Sequence, residues 1–431
     1  MSDQHYRRVI KTRYSGAASE GRVMVKAKAG LALTVLLAGC ATQAPPLSPT
    51  ALPGDRPPVI LISIDGLRPD YLARGVTPNI DALAAGGVRA EVMRPSFPSL
   101  TFPNHYTLVT GKRPDHHGIV NNNMEDARIP EVKFALSNRA AVEDRRWWDE
   151  AEPVWVTAEN AGVKTATMFW PGSEAPIHGV RPTQWMTFDG KLPNPARVAQ
   201  VLQWLDQPQR PGFLTLYFDT VDHDGHEFGP DAPETTRAMA EVDSRIGDPV
   251  AGLKTRGLAA NIVLVSDHGM ANVAPERVIR LDLLLPAGSF RTVVAGAVAG
   301  LEPLPGQEAV LARALQAPHD HMQCWPKAQI PARLHYGSNP RVPSFVCLAE
   351  PGWMTLAGPP RSDMRLGGMH GYDPAAPDMA ATFIASGPAF KAGAVVPVVD
   401  NVDVYPMVMR LLGLKPLASD GSGRLARRVL R

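Results

Sequence analysis

The stretch that decides the fold is Val59-Ile60-Leu61-Ile62-Ser63-Ile64-Asp65-Gly66. Its apolar run is nearly unbroken, which is typical of a parallel strand that is covered on both faces. The pair Asp65-Gly66 ends the run, so the Asp65 carboxylate is expected at the carboxyl edge of a sheet. In open α/β sheets the ligand site lies at that edge. The pattern therefore predicts a functional site that includes Asp65.

A hydroxyl-bearing motif, Ser99-Leu100-Thr101-Phe102-Pro103-Asn104-His105-Tyr106, follows after one predicted helix. Pro103 suits the first turn of a helix, so we expect Thr101 at a helix N-terminus, where partial positive charge favours an alkoxide. A threonine hydroxyl is a poor nucleophile unless a base or a metal lowers its pKa. The rest of the chain must supply that activation. Ser96 and Ser99 are alternative nucleophiles.

Two more apolar runs also end in acidic residues. Residues 213–218 precede Asp219 and Asp222, and residues 262–266 precede Asp267-His268-Gly269. The spacing of Asp222 and His226 places both side chains on one face of a helix. Asp219, His223 and Asp224 crowd Asp222, and the residues alone leave the choice among these acids open.

A further histidine, His370, lies among glycines in Gly367-Gly368-Met369-His370-Gly371, where the backbone can bend closely around an ion. Carboxylate oxygens and imidazole nitrogens together suit zinc, and their number favours two ions. Two ions about 4 Å apart could stabilise both the attacking and the leaving oxygen of a displacement at phosphorus. The pattern therefore predicts phosphoryl transfer.

Together these motifs resemble the nucleotide pyrophosphatase/phosphodiesterase family of the alkaline phosphatase superfamily, in the family's order from about residue 57 to residue 414. The resemblance implies a type I phosphodiesterase with two Zn²⁺ ions. It implies one zinc held by Asp222, His226 and His370, and a second held by Asp65, Thr101, Asp267 and His268.

The resemblance also implies roles in catalysis and substrate binding. Thr101 would be the nucleophile of a phosphothreonine intermediate, and Asn122 would donate to a non-bridging phosphate oxygen. An asparagine, where related monoesterases have an arginine, favours diesters over monoesters. Phe102 and Trp185 resemble the family's base-stacking aromatic residues, although the second is usually tyrosine. The implied substrate is a nucleotide or another small phosphodiester.

The body of the chain alternates apolar strand patterns with helical patterns, which predicts an α/β fold. We expect an alkaline-phosphatase-like catalytic domain over residues 57–420, with a largely parallel central sheet and helices on both faces. The predicted core strands are residues 59–64, 163–169, 213–218, 262–266 and 380–385, and the predicted helices are residues 195–205, 233–256 and 403–412. A small α+β insertion is expected at about residues 291–355, with strands near Thr292, Arg333 and Phe345 and a helix near Gln307.

The N-terminal region has the pattern of a lipoprotein signal. A basic segment that begins at Met24, the possible true start, precedes a short apolar core and Leu37-Ala38-Gly39-Cys40, which resembles a bacterial lipobox. That core is shorter than the roughly 20 apolar residues that span a bilayer. Residues 1–40 are therefore predicted to be a signal that ends at a lipid-modified Cys40, and residues 41–56 a Pro/Ala-rich tether. Ala41 carries no inner-membrane retention signal, so the expected location is the bacterial envelope, on the periplasmic side of the outer membrane.

The charge distribution and the cysteine content argue against a nucleic-acid-binding protein and against a structural zinc site. Of 44 basic and 42 acidic residues, seven basic and two acidic residues lie in the first 39 positions, so the rest carries no basic excess. Binding of a nucleic-acid duplex is therefore not expected. Cys324 and Cys347 favour one disulfide in an exported chain, but the sequence does not show whether they face each other. A CxxC pattern is absent, which argues against structural zinc.

Two other functions remain as alternatives to a nucleotide hydrolase, and the cysteine positions argue against a third. A lysophospholipid or choline-type phosphodiester hydrolase would share the chemistry and differ in its pocket. A non-catalytic nucleotide-binding lipoprotein would share the pocket and lack turnover. A sulfatase would need a cysteine or serine converted to formylglycine beside the metal, and neither Cys324 nor Cys347 lies there. The sequence gives no indication of the oligomeric state.

Overall fold

A computed structural model of the chain describes residues 56–360, residue 364 and residues 367–431. The predicted signal, Cys40 and all but the last residue of the predicted tether lie outside the described residues and stay predictions. Among the described residues, no helix is both long and apolar enough to span a membrane.

The described residues form strands and α-helices that alternate along most of the chain. The strands are β1 (Val59–Ile64), β2 (Val88–Arg94), β3 (Asn123–Met124), β4 (Phe134–Ala135), β5 (Thr165–Met168), β6 (Gln184–Trp185), β7 (Phe213–Phe218), β8 (Asn261–Val265), β9 (Ala271–Asn272), β10 (Val278–Arg280), β11 (Phe290–Val294), β12 (Val298–Pro303), β13 (Met322–Pro326), β14 (Phe345–Ala349), β15 (Met354–Leu356), β16 (Gly368–Met369), β17 (Phe383–Ser386) and β18 (Ala394–Asp400). The helices are α1 (Pro78–Gly86), α2 (Thr101–Thr110), α3 (Pro114–His117), α4 (Arg139–Val142), α5 (Val154–Asn160), α6 (Asn194–Leu205), α7 (Thr220–Phe228), α8 (Pro233–Thr255), α9 (Leu281–Leu284), α10 (Glu308–Gln316), α11 (Val404–Leu411) and α12 (Arg424–Val429). Short 3-10 helices lie at Pro69–Arg74, Arg145–Trp147, Lys327–Gln329, Ala332–Leu334, Pro377–Met379 and Asn401–Asp403.

The central sheet has eight strands in the order β18-β2-β17-β8-β1-β7-β5-β6. Seven of these strands share one direction, and β17 runs antiparallel to both of its neighbours. The largely parallel α/β sheet is thus confirmed. The predicted strand at residues 380–385 exists as β17, but it is the one strand of this sheet that reverses direction.

The sheet is covered on both faces by helices, which explains the apolar run in β1. Val59 and Leu61 pack into one buried cluster, with residues of α2, α5 and α11. Ile60 and Ile62 pack into another cluster, with residues of α1, α6 and α8. Since alternate side chains point to opposite faces, a strand with two covered faces must be apolar at nearly every position.

The register of the three central strands brings their ends to one edge. Ile64 of β1 pairs with Phe218 of β7, and Ser63 pairs with Val265 of β8. The residues that follow, Asp65, Asp219 and Asp267, are therefore level with one another across the sheet. The three apolar runs that precede acidic residues therefore end at the same carboxyl edge of the sheet, as expected.

The insertion forms a separate antiparallel sheet with the order β11-β12-β14-β13, on which α10 packs. The strand predicted near Arg333 is wrong, because residues Ala332–Leu334 form a 3-10 helix directly after Pro331. Proline fixes its own backbone and lacks an N–H for a strand ladder. Cys324 and Cys347 lie opposite each other on β13 and β14 and form a disulfide, as the sequence favoured.

The packed core also continues past residue 420, where the catalytic domain was predicted to end. Leu425 and Val429 of α12 are buried in the same cluster as α11. The predicted boundary was therefore too early.

Candidate active site

Thr101 occupies the first turn of α2, as predicted, and its hydroxyl lies 3.2 Å from His268 Nε2. The two alternative nucleophiles are engaged elsewhere. Ser96 is buried and donates to Asn401 Oδ1, and Ser99 is buried and donates to the carbonyl of Tyr372. Thr101 is therefore the hydroxyl of this motif that faces the acidic and imidazole groups.

One ligand cluster consists of Asp65, Asp267 and His268, whose ligand atoms lie within 4.8 Å of one another. All three residues are buried. His268 Nε2 lies 2.9 Å from Asp267 Oδ2 and 3.5 Å from Asp65 Oδ1. These are the protein residues of the second predicted zinc site, and Thr101 adjoins them through His268.

A second cluster lies beside the first. Asp222 and His226 share one face of α7, with His226 Nε2 3.5 Å from Asp222 Oδ2. His370 Nε2 lies 3.0 Å from His226 Nε2 and 3.5 Å from Asp222 Oδ1. The ligand atoms of Asp222, His370 and His268 all lie within 4.8 Å of one another. His226 lies at the edge of this group, next to Asp222 and His370. The choice of Asp222 among the neighbouring acids agrees with this arrangement.

A short strand pair joins the two clusters. β9 begins three residues after His268, and it pairs antiparallel with β16, which directly precedes His370. The rings of His268 and His370 consequently stack with their centroids 3.6 Å apart. Gly367 allows this approach, because a Cβ atom there would lie 2.4 Å from the backbone nitrogen of Gly229, just past the end of α7.

The three imidazoles are oriented by backbone carbonyls. The Nδ1 atoms of His226, His268 and His370 lie 2.9 to 3.0 Å from the carbonyl oxygens of Gly368, Gly269 and Ser99 respectively. Since a carbonyl can only accept, each Nδ1 carries the proton and each Nε2 presents its lone pair to the clusters. This is the usual support of a metal-binding histidine.

The carboxylates are oriented in a similar way, with one oxygen held by the protein. Tyr217 donates to Asp65 Oδ2 at 2.6 Å, and the Gly66 amide donates to Asp267 Oδ1 at 3.2 Å. The other oxygens, Asp65 Oδ1 and Asp267 Oδ2, and also Asp222 Oδ1, are buried without a hydrogen-bond partner. Buried acceptors without partners are costly unless a cation satisfies them.

The electrostatics of the protein groups point the same way. Burial, together with the carboxylates of Asp267 and Asp222, raises the pKa of Asp65 well above its usual value. Burial and the imidazoles of His268 and His226 lower the pKa of His370 well below its usual value. Like groups therefore oppose the charge of Asp65 and of His370. Despite their burial, Asp267 and His268 instead favour each other's charge, so that the pKa of Asp267 is lowered and the pKa of His268 is raised. The residues therefore fit divalent cations, which would satisfy the free oxygens and the Nε2 lone pairs together.

A cavity of about 450 Å³ opens beside the clusters. Thr101, Asp222 and His226 contribute to one side, and Phe102 contributes to the wall next to Thr101. The remaining wall includes the aromatic residues Phe169, Trp170 and Phe188.

Trp185, the second aromatic residue predicted to bind the base, does not line this cavity. It lies on the edge strand β6, and its ring is 5.1 Å from the guanidinium carbon of Arg181. Phe188, three residues later, lines the cavity instead, and this residue is 43% exposed. Its backbone amide is bound by the buried Glu174 carboxylate at 3.2 Å. β6 ends at Trp185, and a local sequence pattern does not reveal where the residues that follow it lie.

Asn122 is oriented by the residue that follows the nucleophile. Its Oδ1 accepts from the backbone amide of Phe102 at 2.9 Å. That bond engages Oδ1, the acceptor of the Asn122 amide, with the protein backbone. Nδ2 is then the atom of the side chain that can donate a hydrogen bond to a ligand. The predicted role of Asn122 as a donor to phosphate requires this orientation.

Sequence reasoning missed Tyr217, which donates to Asp65 from the penultimate position of β7. Tyr217 stands within the apolar run of β7, and no local sequence pattern distinguishes it from the other strand residues as part of the site. His105 has its Nδ1 3.4 Å from Asp267 Oδ2 and its Nε2 2.8 Å from Ser63 Oγ. It therefore lies behind the cluster rather than in it.

Comparison with known proteins decides the family. A family model described as type I phosphodiesterase/nucleotide pyrophosphatase matches residues 59–373. The chain belongs to this family. The resemblance drawn from the sequence motifs is confirmed.

Relatives within the type I phosphodiesterase/nucleotide pyrophosphatase family differ in length. A pyrophosphatase/phosphodiesterase of Schizosaccharomyces pombe is 37% identical over 386 residues, which cover 84% of this chain and 78% of that protein. Ectonucleotide pyrophosphatase/phosphodiesterase family member 1 of Mus musculus is 36% identical over 383 residues, 85% of this chain. The matched part spans 42% of the length of the mouse protein.

Solved structures in the family share the fold. Murine ectonucleotide pyrophosphatase/phosphodiesterase 5 superposes with a TM-score of 0.83 at 33% identity, over 87% of this chain and all of that chain. The same murine protein, as an inactive threonine-to-alanine variant in complex with AMP, also superposes with a TM-score of 0.83. The alkaline-phosphatase-like α/β fold expected from the sequence is therefore confirmed.

Proposed function

We propose that this protein is a metal-dependent hydrolase of nucleotide phosphodiester or phosphoanhydride bonds, which releases a nucleoside monophosphate through a phosphothreonine at Thr101. The observation that carries the proposal is the Thr101 hydroxyl at the start of α2, 3.2 Å from His268, beside two clusters of free carboxylate and imidazole ligand atoms. The names of the relatives support a nucleotide phosphodiesterase. The AMP complex of the murine variant supports nucleotide binding and a threonine that is essential in that protein.

Two Zn²⁺ ions are the proposed cofactors, because mixed carboxylate and imidazole donors suit zinc. Asp65, Asp267, His268 and Thr101 would hold one ion, and Asp222, His226 and His370 would hold the other. Such ions supply Lewis acidity for a displacement at phosphorus.

The residues of the chain provide the nucleophile and the support for developing charge. The Thr101 hydroxyl releases its proton to solvent, and its oxygen, at the positive end of α2, forms a bond to phosphorus. The bond from phosphorus to the leaving oxygen breaks, and the leaving oxygen keeps the bonding electrons. Asn122 Nδ2 donates to a non-bridging oxygen as negative charge develops there. A water molecule then forms a bond to the same phosphorus while the bond from phosphorus to the Thr101 oxygen breaks. One proton of that water restores the Thr101 hydroxyl, and the nucleoside monophosphate is released.

Diesters should be preferred because Asn122 is neutral. One donor of this kind suits the single negative charge of a diester better than the dianion of a monoester. With p-nitrophenyl thymidine monophosphate as the diester and p-nitrophenyl phosphate as the monoester, we expect kcat/KM to be at least tenfold higher, about 1.4 kcal/mol, for the diester. Faster turnover of the monoester would contradict the proposal. Tight nucleotide binding without turnover of either substrate would favour the non-catalytic alternative.

Phe188, rather than Trp185, should stack on the nucleobase, with Phe102 on the other side of the cavity. We expect Phe188→Ala to raise KM for p-nitrophenyl thymidine monophosphate about tenfold, since base stacking contributes about 1–3 kcal/mol. Trp185→Ala is the matched control and should change KM less than about twofold, since Trp185 is half-buried on β6 and does not line the cavity. Bis(p-nitrophenyl) phosphate, which has no base, should respond weakly to both variants. A larger effect of Trp185→Ala would restore the prediction made from the sequence.

A choline-type or lysophospholipid phosphodiester is the alternative substrate, because the cavity combines aromatic rings with the acids Asp219 and Glu174. A cage for a quaternary ammonium uses aromatic faces and free negative charge. Here Asp219 is paired with the buried Arg197 at 2.8 Å, and Glu174 is paired with Arg139. Because both acids are already neutralised, we favour the nucleotide.

The location is a separate proposal that rests on residues 1–40 alone. We propose that lipid on Cys40 anchors the chain in the bacterial envelope, with the catalytic domain on the periplasmic side.

A further inference from the structure

The insertion contacts the part of the catalytic domain that carries Asn122. Residues 336–341, here called the clasp, lie between the 3-10 helix Ala332–Leu334 and β14. They contact residues 115–126, here called the Asn122 segment. The two pieces are more than 200 positions apart in the chain.

The first end of the Asn122 segment is held by a carboxylate. The Asp115 side chain is buried and accepts from three successive backbone amides of the clasp, those of Gly337, Ser338 and Asn339, at 3.0, 2.8 and 2.9 Å. Three amides that converge on one carboxylate fix both the position and the orientation of the clasp backbone.

Arg341 spans the segment on both sides of Asn122. Its guanidinium is buried and donates to the Gly118 carbonyl at 2.8 Å and to Asp126 Oδ2 at 2.7 Å. Gly118 lies four positions before Asn122, and Asp126 lies four positions after it. The Tyr336 hydroxyl adds a bond at 3.0 Å to the carbonyl of Val120, two positions before Asn122. The clasp thus bridges the loop whose middle residue is Asn122.

The hydrogen bonds of Arg341 are better suited to fixing the geometry of the Asn122 segment than to stabilising its contact with the clasp. A buried ion pair such as Arg341 with Asp126 gives little net stability compared with apolar residues of the same size. A guanidinium, however, donates in fixed directions from a planar fork, which an apolar contact does not do. Here the same group also donates to the Trp147 carbonyl at 2.7 Å, which ties the loop to the core.

We propose that the clasp is a positioning element for catalysis, in which Arg341 and Tyr336 set the place of Asn122 against the phosphate oxygen. This inference rests on the proposed function, because that function gives Asn122 its substrate contact. Asn122 in turn accepts from the Phe102 amide, one residue after the nucleophile. The insertion therefore acts on the reaction through Asn122, without touching the substrate itself.

The test is a double-mutant cycle with p-nitrophenyl thymidine monophosphate. Asn122→Ala should lower kcat about 100-fold, as removal of one oxyanion donor does. Tyr336→Phe, which removes one hydroxyl, should lower kcat about threefold, and Arg341→Lys, which keeps charge but loses the fork, about tenfold, both with KM unchanged. In the Asn122→Ala background, neither clasp variant should lower kcat further, because sites that act through one group are not additive.

Controls separate positioning from folding. Tyr405→Phe is the matched control for Tyr336→Phe, since the Tyr405 hydroxyl accepts from the Leu417 amide, away from the Asn122 segment. It should leave kcat unchanged. Melting temperatures show whether each variant is folded, and Tyr336→Phe keeps the test valid if Arg341→Lys does not fold.

The outcomes distinguish the two proposals. If Asn122→Ala is slow but folded Tyr336→Phe and Arg341→Lys turn over normally, the clasp only attaches the insertion and this inference is overturned alone. Clasp effects that persist in full in the Asn122→Ala background would overturn it as well. If the unmodified protein hydrolyses no diester, the proposed function is overturned and this inference falls with it.

Discussion

Replacing Thr101 with alanine is expected to lower kcat for nucleotide diesters by at least about 10⁴-fold, because removal of a nucleophile removes the covalent route entirely. Binding of AMP should persist, since the aromatic walls of the cavity and Asn122 remain. Single-turnover assays and equilibrium binding on the same preparation measure the two effects separately.

Two hydroxyl variants provide the controls for Thr101. Ser96→Ala removes a buried hydroxyl that donates to Asn401 and faces away from the clusters, so it should retain turnover within about tenfold if it folds. Thr101→Ser keeps an oxygen at the same place and should retain much more activity than Thr101→Ala. Ordinary turnover by Thr101→Ala would rule out a phosphothreonine at this residue.

Removal of divalent cations should have the second-largest effect. We expect a chelator to lower kcat by more than about 10³-fold, since metal ions supply most of the charge stabilisation at phosphorus. The melting temperature should also fall, because bound ions stabilise the folded state and the free carboxylate oxygens lose their partner. Elemental analysis should find two zinc ions per chain before treatment, and added Zn²⁺ should restore both properties.

A ligand variant and a matched histidine variant make this result specific. His370→Ala should lose about one ion per chain and lose most activity. His321→Ala removes an exposed histidine that pairs with Glu350 in the insertion, and it should keep both ions. A fully active sample that contains no transition metal would exclude the proposed cofactors.

The sequence was most informative where chemistry and burial coincide. β1, β7 and β8 are apolar at nearly every position because both faces are covered, and each is followed by an acid. Their parallel register then forces the acids to one edge, so the carboxylates could be predicted together. His226 could be predicted from its spacing to Asp222, but the grouping of His370 with that pair needed the family resemblance, because His370 lies 144 positions from His226.

Features that depend on tertiary context were missed. β2 alternates buried and exposed residues and carries charges on its exposed face, and β18 contains Pro397, which an edge strand tolerates. Neither has the continuous apolar run that marked the central strands. The direction of β17 is equally hidden, since an apolar run reads the same in either orientation. The choice between Trp185 and Phe188, and the role of Arg341, depend on contacts between segments that no local pattern encodes.

The level ends of β1, β7 and β8 have a consequence for the maturation of this protein. A slip of β8 by one residue would carry Asp267 to the other face of the sheet, since side chains alternate. The ions proposed here could then not be held, even if every ligand residue were present. Metal uptake would therefore come late, after the strands have paired in the native register. Only correctly folded chains would then bind the ions.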